Sequence, residues 1–294
     1  MRSVMMLGLL AFVPPLAAEE EKRPRTPGEQ YKELAKKYEA DFQAFVEADR
    51  AAKTDEENQA FLSMPGRSPW MYARGFLDLA QRYPRTPAAE DALIWVGEHV
   101  LYRPEAHQAL KHLAGDYARS EKLGRVFRRQ AKSNAGSLAA EGLLREAIAR
   151  SPHRDVRGLA HYWLARFLVE HAWYVRAVQQ PEDHPDIKGV VDRTWGDGTS
   201  DRLKGRDADK LIEEAESHYE RVVAEYSDVE NNDLYPGQPA TLGKAARIRL
   251  NEIRNLVVGK TAPEIEGTDI DGRTFKLSDY RGKVVVLDFG SYFY

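Results

Sequence analysis

Apolar residues recur every three or four positions along most of this chain, which is the period of one face of an α-helix. The first such stretch covers residues 27 to 50, and Thr26 and Pro27 at its start are residue types that open helices. Its apolar positions are Tyr31, Leu34, Ala35, Tyr38, Phe42, Phe45 and Val46. The pattern predicts a long amphipathic helix that begins at Pro27.

The helical pattern then repeats at a fixed interval. The segment 76 to 84 is echoed by residues 110 to 118 and 144 to 152, an offset of 34 residues each time. The aligned columns are Phe76, Leu110 and Leu144, then Leu79, Leu113 and Ala147, then Tyr83, Tyr117 and Ser151, and in the second helix Ala92, Val126 and Ala160. A later fourth unit carries Tyr219, Val222 and Tyr226, followed by a helix through Ala245, Ile248, Leu250 and Ile253.

This period of helix, turn and helix resembles the tetratricopeptide-type repeats, whose units stack because none of them buries its apolar face alone. The resemblance implies a mainly α-helical solenoid over residues 19–257. Residues 179–209 are rich in proline, glycine and aspartate and predict a loop insertion. The solenoid surface would bind a protein or peptide. In the alternative interpretation its aromatic residues form the core and its charges form a solvated face.

The pattern changes again at Gly259, where short runs replace the helical period. Asp271-Gly272 separates the runs 265 to 270 and 274 to 277, which predicts a hairpin with a two-residue turn. Residues 284 to 289 read Val-Val-Val-Leu-Asp-Phe. An unbroken apolar run of this kind predicts a strand that is covered on both faces.

These C-terminal residues closely resemble the opening of exported bacterial thioredoxin-like proteins. The family is that of the redoxins, in the alkyl hydroperoxide reductase and thiol-specific antioxidant superfamily, which includes thiol:disulfide oxidoreductases. The matching residues are Val258-Gly259-Lys260, Ala262-Pro263, Ile265 and the run from 271 to 289 without a gap. The resemblance covers about an eighth of the chain. It implies an incomplete thioredoxin-like α/β segment over residues 258–294, with a hairpin and the first core strand.

The chain contains no cysteine, which excludes disulfides and thiol chemistry on these residues. In the redoxin family a cysteine follows the first core strand, and that register falls at Tyr294 or beyond. We therefore expect a truncated redoxin whose family performs thiol-disulfide exchange or peroxide reduction, but which is inactive alone. The alternative is a secreted helical-repeat scaffold with a vestigial redoxin tail. We expect residues 259–294 to be loosely held unless they dock on the helices or pair with another chain.

The N-terminus predicts export. A basic start, an apolar stretch from 4 to 13 and small residues before an acidic run form the pattern of a cleaved signal peptide over residues 1–18. We expect a periplasmic or extracellular protein with no stable membrane insertion after cleavage. The chain has 43 Lys plus Arg against 46 Asp plus Glu, so its net charge of −3 predicts no nucleic-acid partner.

Known cofactor and metal motifs are not matched. Gly259-Lys260-Thr261 lacks the first glycine of a phosphate-binding loop, because Arg254 stands in its place. The spacings of acidic residues and histidines fit neither a calcium loop nor a helical zinc pair. Those residues are Asp192, Asp197, Asp201, His107, His112, His161 and His171. We expect the glutamates of 213 to 220 to lie at the surface and not to form a catalytic carboxylate pair, and the basic stretch 122 to 132 to form a solvated or partner-facing helix face. We therefore assign no catalytic, cofactor-binding or metal-ligating residue and expect no cofactor.

Overall fold

The computed structural model of the protein describes residues 23–133, 137–232 and 237–288. The predicted signal peptide and the last six residues lie outside the described residues, so the signal peptide stays a prediction. The described chain is mainly helical. Twelve α-helices precede a two-stranded antiparallel sheet in these ranges.

The first helix forms where the sequence predicts it. Helix α1 (Pro27–Ala51) begins after Thr26, whose Oγ1 accepts a hydrogen bond from the backbone N–H of Glu29 at 3.3 Å. The Glu29 carboxylate accepts from the backbone N–H of Thr26 at 2.8 Å, which completes a capping box. Helix α2 (Asp55–Leu62) follows.

A short 3₁₀ turn at Pro65–Arg67 packs closely against α1. A Cβ atom added to Gly66 would lie 2.0 Å from the backbone oxygen of Asp41 in α1. Since real Cβ atoms do not approach an oxygen this closely, only glycine fits this position with the observed backbone.

Six helices of the repeated region come next. They are α3 (Trp70–Arg82), α4 (Pro87–His99), α5 (Pro104–Asp116), α6 (Gly124–Ser133), α7 (Leu138–Arg150) and α8 (Arg154–Gln179). Helices α3, α5 and α7 therefore begin 34 residues apart. The predicted ends are also right, because Tyr83, Tyr117 and Ser151 are the C-cap residues of these three helices.

The predicted apolar columns lie in the core. Helix α3 packs on α4, α5 packs on α4 and α7, and α6 and α7 both pack on α8. The residues of the first, second and fourth columns from 76 to 160 are all buried. The largest fully buried side chains include Trp163, Tyr162, Tyr219, Phe76, Phe127 and Phe167.

The predicted loop insertion at 179–209 is not wholly a loop. It contains α9 (Ile187–Trp195) and α10 (Thr199–Lys204). Gly196 and Gly198 have positive φ values of 98° and 76°, which allows the sharp turn between these helices. The Asp192 carboxylate accepts hydrogen bonds from the backbone N–H and the hydroxyl of Ser200, both at 2.9 Å. The aspartates and glycines thus serve helix ends rather than an open loop.

The late fourth pair consists of α11 (Ala208–Glu225) and α12 (Leu242–Asn255). Helix α11 packs on α8 and on α12. Tyr219, Val222 and Tyr226 are buried, as their alignment with the earlier columns predicts. Tyr226 is again the C-cap residue of its helix.

The C-terminal hairpin forms, but with a different turn. Strands β1 (Glu266–Thr268) and β2 (Thr274–Lys276) pair antiparallel. A turn with three loop residues, 270 to 272, joins the two strands. The N–H of Asp269 donates to the Arg273 carbonyl and closes the turn, and the N–H of Gly272 donates to the Asp269 carbonyl. Among the described loop residues only Gly272 has positive φ, at 81°. The Asp269 carboxylate accepts from two loop N–H groups, at Asp271 and Arg273, and this fixes the longer turn.

The predicted core strand is not observed. Residues 284–288 belong to no helix or strand, and Val284, Val286 and Leu287 are exposed. The described residues offer this run no covering layer, and an apolar strand is stable only when one is present. No described residue beyond Leu250 is buried.

Helix α7 allows a direct test of the core. We expect Leu144→Ala to lower the free energy of unfolding by about 2–5 kcal/mol, because Leu144 is buried and its removal leaves a cavity. Leu138→Ala in the same helix is the control, since Leu138 is half exposed and should change stability by less than about 0.5 kcal/mol. Urea denaturation measures both. Equal losses in the two variants would contradict the packing described above.

Candidate functional site

An open cleft of about 740 Å³ lies where five parts of the chain meet. These parts are the start of α3, the linker between α4 and α5, the end of α6, the second half of α8 and the end of α9. The lining residues are Trp70, Leu101, Tyr102, Arg103, Lys132, Glu170, Tyr174, Val190, Arg193, Thr194 and Trp195. Aromatic and charged side chains together dominate this surface.

The linker wall of the cleft holds an unusual backbone conformation. Tyr102 has a φ of 58°, a left-handed value that is uncommon for a residue with a bulky side chain. Arg103 is held in an extended conformation because Pro104 follows it and opens α5. The guanidinium of Arg103 lies 4.6 Å from the ring centre of Trp70. Strain of this kind is found where a site requires a fixed side-chain direction.

The opposite wall is built on α8 and α9. The rings of Tyr174 and Trp195 meet edge to face with centroids 4.8 Å apart. Trp195 is 8% exposed, and its Nε1 atom has no hydrogen-bond partner among the described residues. A buried N–H without a partner costs roughly 1–3 kcal/mol.

The cleft carries more positive than negative charge. Its lining contains three basic side chains, Arg103, Lys132 and Arg193, against the carboxylate of Glu170. The pKa of the neighbouring Tyr174 is raised by burial and by the Glu170 carboxylate, so its hydroxyl stays neutral and can donate a hydrogen bond. These groups favour an anionic ligand with apolar or aromatic parts.

A second polar cluster joins α7, α8 and α11 away from the cleft. The Glu141 carboxylate accepts from Arg206 at 2.7 Å and from Arg145 at 2.8 Å. Arg145 also donates to Glu214 at 2.6 Å, and Arg206 donates to Nε2 of His171 at 2.9 Å. Glu141 is the most buried acid of the cluster.

Burial alone would raise the pKa of Glu141. The hydrogen bonds from Arg206 and Arg145 outweigh that effect, so the pKa lies below its ordinary value. The pKa of Glu214 is lowered in the same way by its hydrogen bond from Arg145. Both groups are therefore carboxylates at neutral pH and act as acceptors that hold the helices together. Because both pKa values are lowered, Glu141 and Glu214 do not form a pair of one general acid and one general base.

Most of these histidines form polar contacts with other residues of the chain. His161 contacts His218, while His171 accepts from Arg206. His107 is half-buried with its pKa lowered by burial, and His112 lies 3.8 Å from Asp116. In the described part of the chain no group of three or more histidine or acidic side chains is arranged to hold a metal ion.

The other charged stretches are also bound within the chain. Lys122 contacts Asp91 at 2.6 Å, and Arg125 donates to Glu98 at 2.7 Å, so this part of the basic stretch pairs with acids of α4. The glutamates of 213 to 220 lie at the surface as expected: Glu220 is exposed, and Glu214 and Glu216 are half-buried. They also form ion pairs between helices, because Glu214 binds Arg145, and Glu216 and Glu220 bind Arg254 of α12. Each pair joins residues far apart in sequence, which residue spacing does not reveal.

Comparison with known proteins finds no matching family model, no matching curated protein and no matching solved structure. None of the helices in the described ranges has both the length and the apolar character that crossing a bilayer requires.

The buried cluster gives a prediction for stability. We expect Glu141→Gln to lower the free energy of unfolding by about 2 kcal/mol at pH 7, because two arginines lose their carboxylate. The matched control is Glu146→Gln on the same helix, whose carboxylate forms an exposed pair with Arg150 and contributes less than about 0.5 kcal/mol.

The pH dependence of this difference has a defined sign. The pKa of Glu141 is lower in the folded protein, so its contribution is complete above the unfolded value of about 4.5 and is lost as the pH falls below it. Urea denaturation of the protein and the variant at pH 7 and below pH 4 measures this. A difference that grows on acidification would be inconsistent with the assignment.

Proposed function

We propose that this chain is a binding protein whose helical region holds an extended, acidic segment of a partner protein in the cleft. The observation that carries the proposal is the combination of exposed aromatic surface and excess positive charge in one concavity. Aromatic side chains and arginine are the residue types that contribute most to protein binding surfaces.

The arrangement of the helices supports a repeat architecture of the tetratricopeptide-like kind. Helices α3, α5 and α7 start at a constant spacing, and each packs on the neighbouring members of the series. Stacked units of this type present extended surfaces, and such surfaces bind peptides. Helix α9, which belongs to the insertion, would then close one side of the cleft and distinguish it from a plain repeat surface.

The lining defines the chemistry of the ligand. Trp70 and Tyr102 are partly exposed and would cover an apolar or aromatic side chain. Arg103 and Arg193 would bind a carboxylate of the ligand. An extended segment that combines an aspartate or glutamate with an aromatic residue meets all these demands. The proposed export would place this binding outside the cytoplasm.

Selection from a displayed library of random peptides on the purified protein tests the proposal. We expect the selected peptides to be enriched in Asp or Glu next to aromatic residues. We also expect Trp70→Ala and Arg193→Glu to weaken their binding by about tenfold or more, equivalent to about 1.4 kcal/mol.

Matched controls are available for both variants. Trp173→Ala removes an equally exposed indole that is not part of the lining, and Arg281→Glu reverses an exposed charge on the C-terminal segment. Fluorescence polarisation with labelled selected peptides measures all four variants. Enrichment of basic peptides, or equal losses in the controls, would refute the cleft as the binding site.

The C-terminal residues favour a second candidate function. We propose that residues 258–288 are the opening of a thioredoxin-like domain, and that the chain is related to the exported redoxins, antioxidant proteins with thiol-disulfide or peroxide chemistry. The hairpin between β1 and β2 supports this, together with the motif order described above. The 294 residues hold no cysteine, so in this proposal they contribute binding and not the thiol step.

A chimera tests the redoxin proposal. Residues 258–288 replace the corresponding opening of a well-folded thioredoxin-like domain that retains its own cysteines. We expect the chimera to fold and to reduce insulin disulfides, because the hairpin and the apolar run would find the layers that cover them. The control chimera carries Gly272→Val, which opposes the positive φ of the turn. A chimera that stays unfolded while the parent domain folds would exclude the assignment.

A further inference from the structure

Two histidines meet in the interface between the long helix α8 and the fourth helical pair. Nδ1 of His161 in α8 lies 2.7 Å from Nδ1 of His218 in α11, which is hydrogen-bond distance. One of the two nitrogens must donate and the other must accept, so this contact requires at least one neutral imidazole. The His161 ring also stacks on Tyr226, the residue that ends α11.

The surroundings of the pair are mainly cationic. The positive charges of Arg157 in α8 and Arg221 in α11 lower the pKa of His161. The positive charge of Arg145 in α7 lowers the pKa of His218. One carboxylate faces the pair. It belongs to Glu214, whose Oε1 lies 3.7 Å from Nε2 of His218 and already receives a hydrogen bond from Arg145. If both imidazoles were protonated, the Glu214 carboxylate would balance little of the second positive charge, because it already binds Arg145.

We propose that His161 and His218 form an acid-sensitive latch that holds α11, and with it α12, on α8. Above neutral pH the shared hydrogen bond and the ring contacts close the interface. When both rings take up protons the hydrogen bond is lost, and two like charges face each other beside Arg157 and Arg221. The interface then opens in preference to the rest of the helical region, because the earlier helices contain no comparable pair in the described ranges.

The electrostatic environment supports the direction of this response. Burial, together with the positive charges of the neighbouring His218, Arg221 and Arg157, lowers the pKa of His161 to about 4. Burial also lowers the pKa of His218. A histidine whose pKa is lower in the closed state takes up a proton more easily in the open state. The latch is therefore stable at pH 7 and weakens as the pH falls from about 6.5 towards 4.

Between pH 7 and pH 5 the effect of protonating the histidines can be measured without protonating the nearby glutamates. The pKa values of Glu141 and Glu214 are lowered, so both remain ionised throughout this range. His107 in α5 also has its pKa lowered by burial and by Lys111, yet it has no histidine neighbour in the described structure. It serves as the matched control residue.

Hydrogen exchange measured by mass spectrometry tests the latch. Protection factors of α11 and of α3, which contains no histidine, are corrected for the intrinsic effect of pH and compared at pH 7 and pH 5. In the unmodified protein we expect the protection of α11 to fall by about tenfold and that of α3 by less than about twofold. In His161→Gln/His218→Gln the acid-dependent fall of α11 should shrink to less than about twofold. His107→Gln should behave like the unmodified protein.

Three results would overturn the latch. These are protection of α11 that does not change with pH, an equal acid-dependent fall in the double variant, and an equal fall in α3. Proton NMR titration of the unmodified protein gives a check that needs no variant. We expect the His161 ring to remain neutral at pH 5, and titration of both rings near pH 6.5 would disprove the proposal.

Discussion

The burial of α8 is the constraint on which the rest of the structure depends. Six helices pack on it: α6, α7, α9, α10, α11 and α12. Its Trp163, Phe167 and Leu168 are fully buried, and each contributes roughly 1.5–3 kcal/mol by leaving water. The same helix carries Glu170 and Tyr174 into the cleft and His161 to the interface with α11. The core, the cleft and the proposed latch therefore all depend on the position of α8.

Features that depend on neighbours in sequence could be predicted from the chain alone. The start of α1 follows from Thr26 and Pro27, and the ends of α3 and α5 follow from the aligned Tyr83 and Tyr117. A repeated offset gives an independent check on each boundary, because every unit must bury the same columns. The helices of the repeat units could be predicted for that reason, whereas α9 and α10 in the insertion could not.

Features that depend on distant residues could not be predicted. Arg145 and Glu214 are 69 positions apart, and His161 and His218 are 57 apart, so spacing gave no sign that they meet. The hairpin turn depended on one carboxylate, that of Asp269, which changed the loop length that Asp271-Gly272 alone indicates. The cleft was missed because its walls come from five separate parts of the chain, and its aromatic residues have no common spacing.

The close approach of Gly66 to the backbone of Asp41 ties the first helix to the wall of the cleft. Trp70 follows only four positions later, with Pro69 between them to limit the freedom of the chain. A methyl group at position 66 would push α1 away. Because only a short segment with Pro69 separates position 66 from Trp70, the displacement would also shift the Trp70 indole. In the proposed function, the affinity of the cleft for its ligand would therefore depend on a glycine that lies outside the cleft lining.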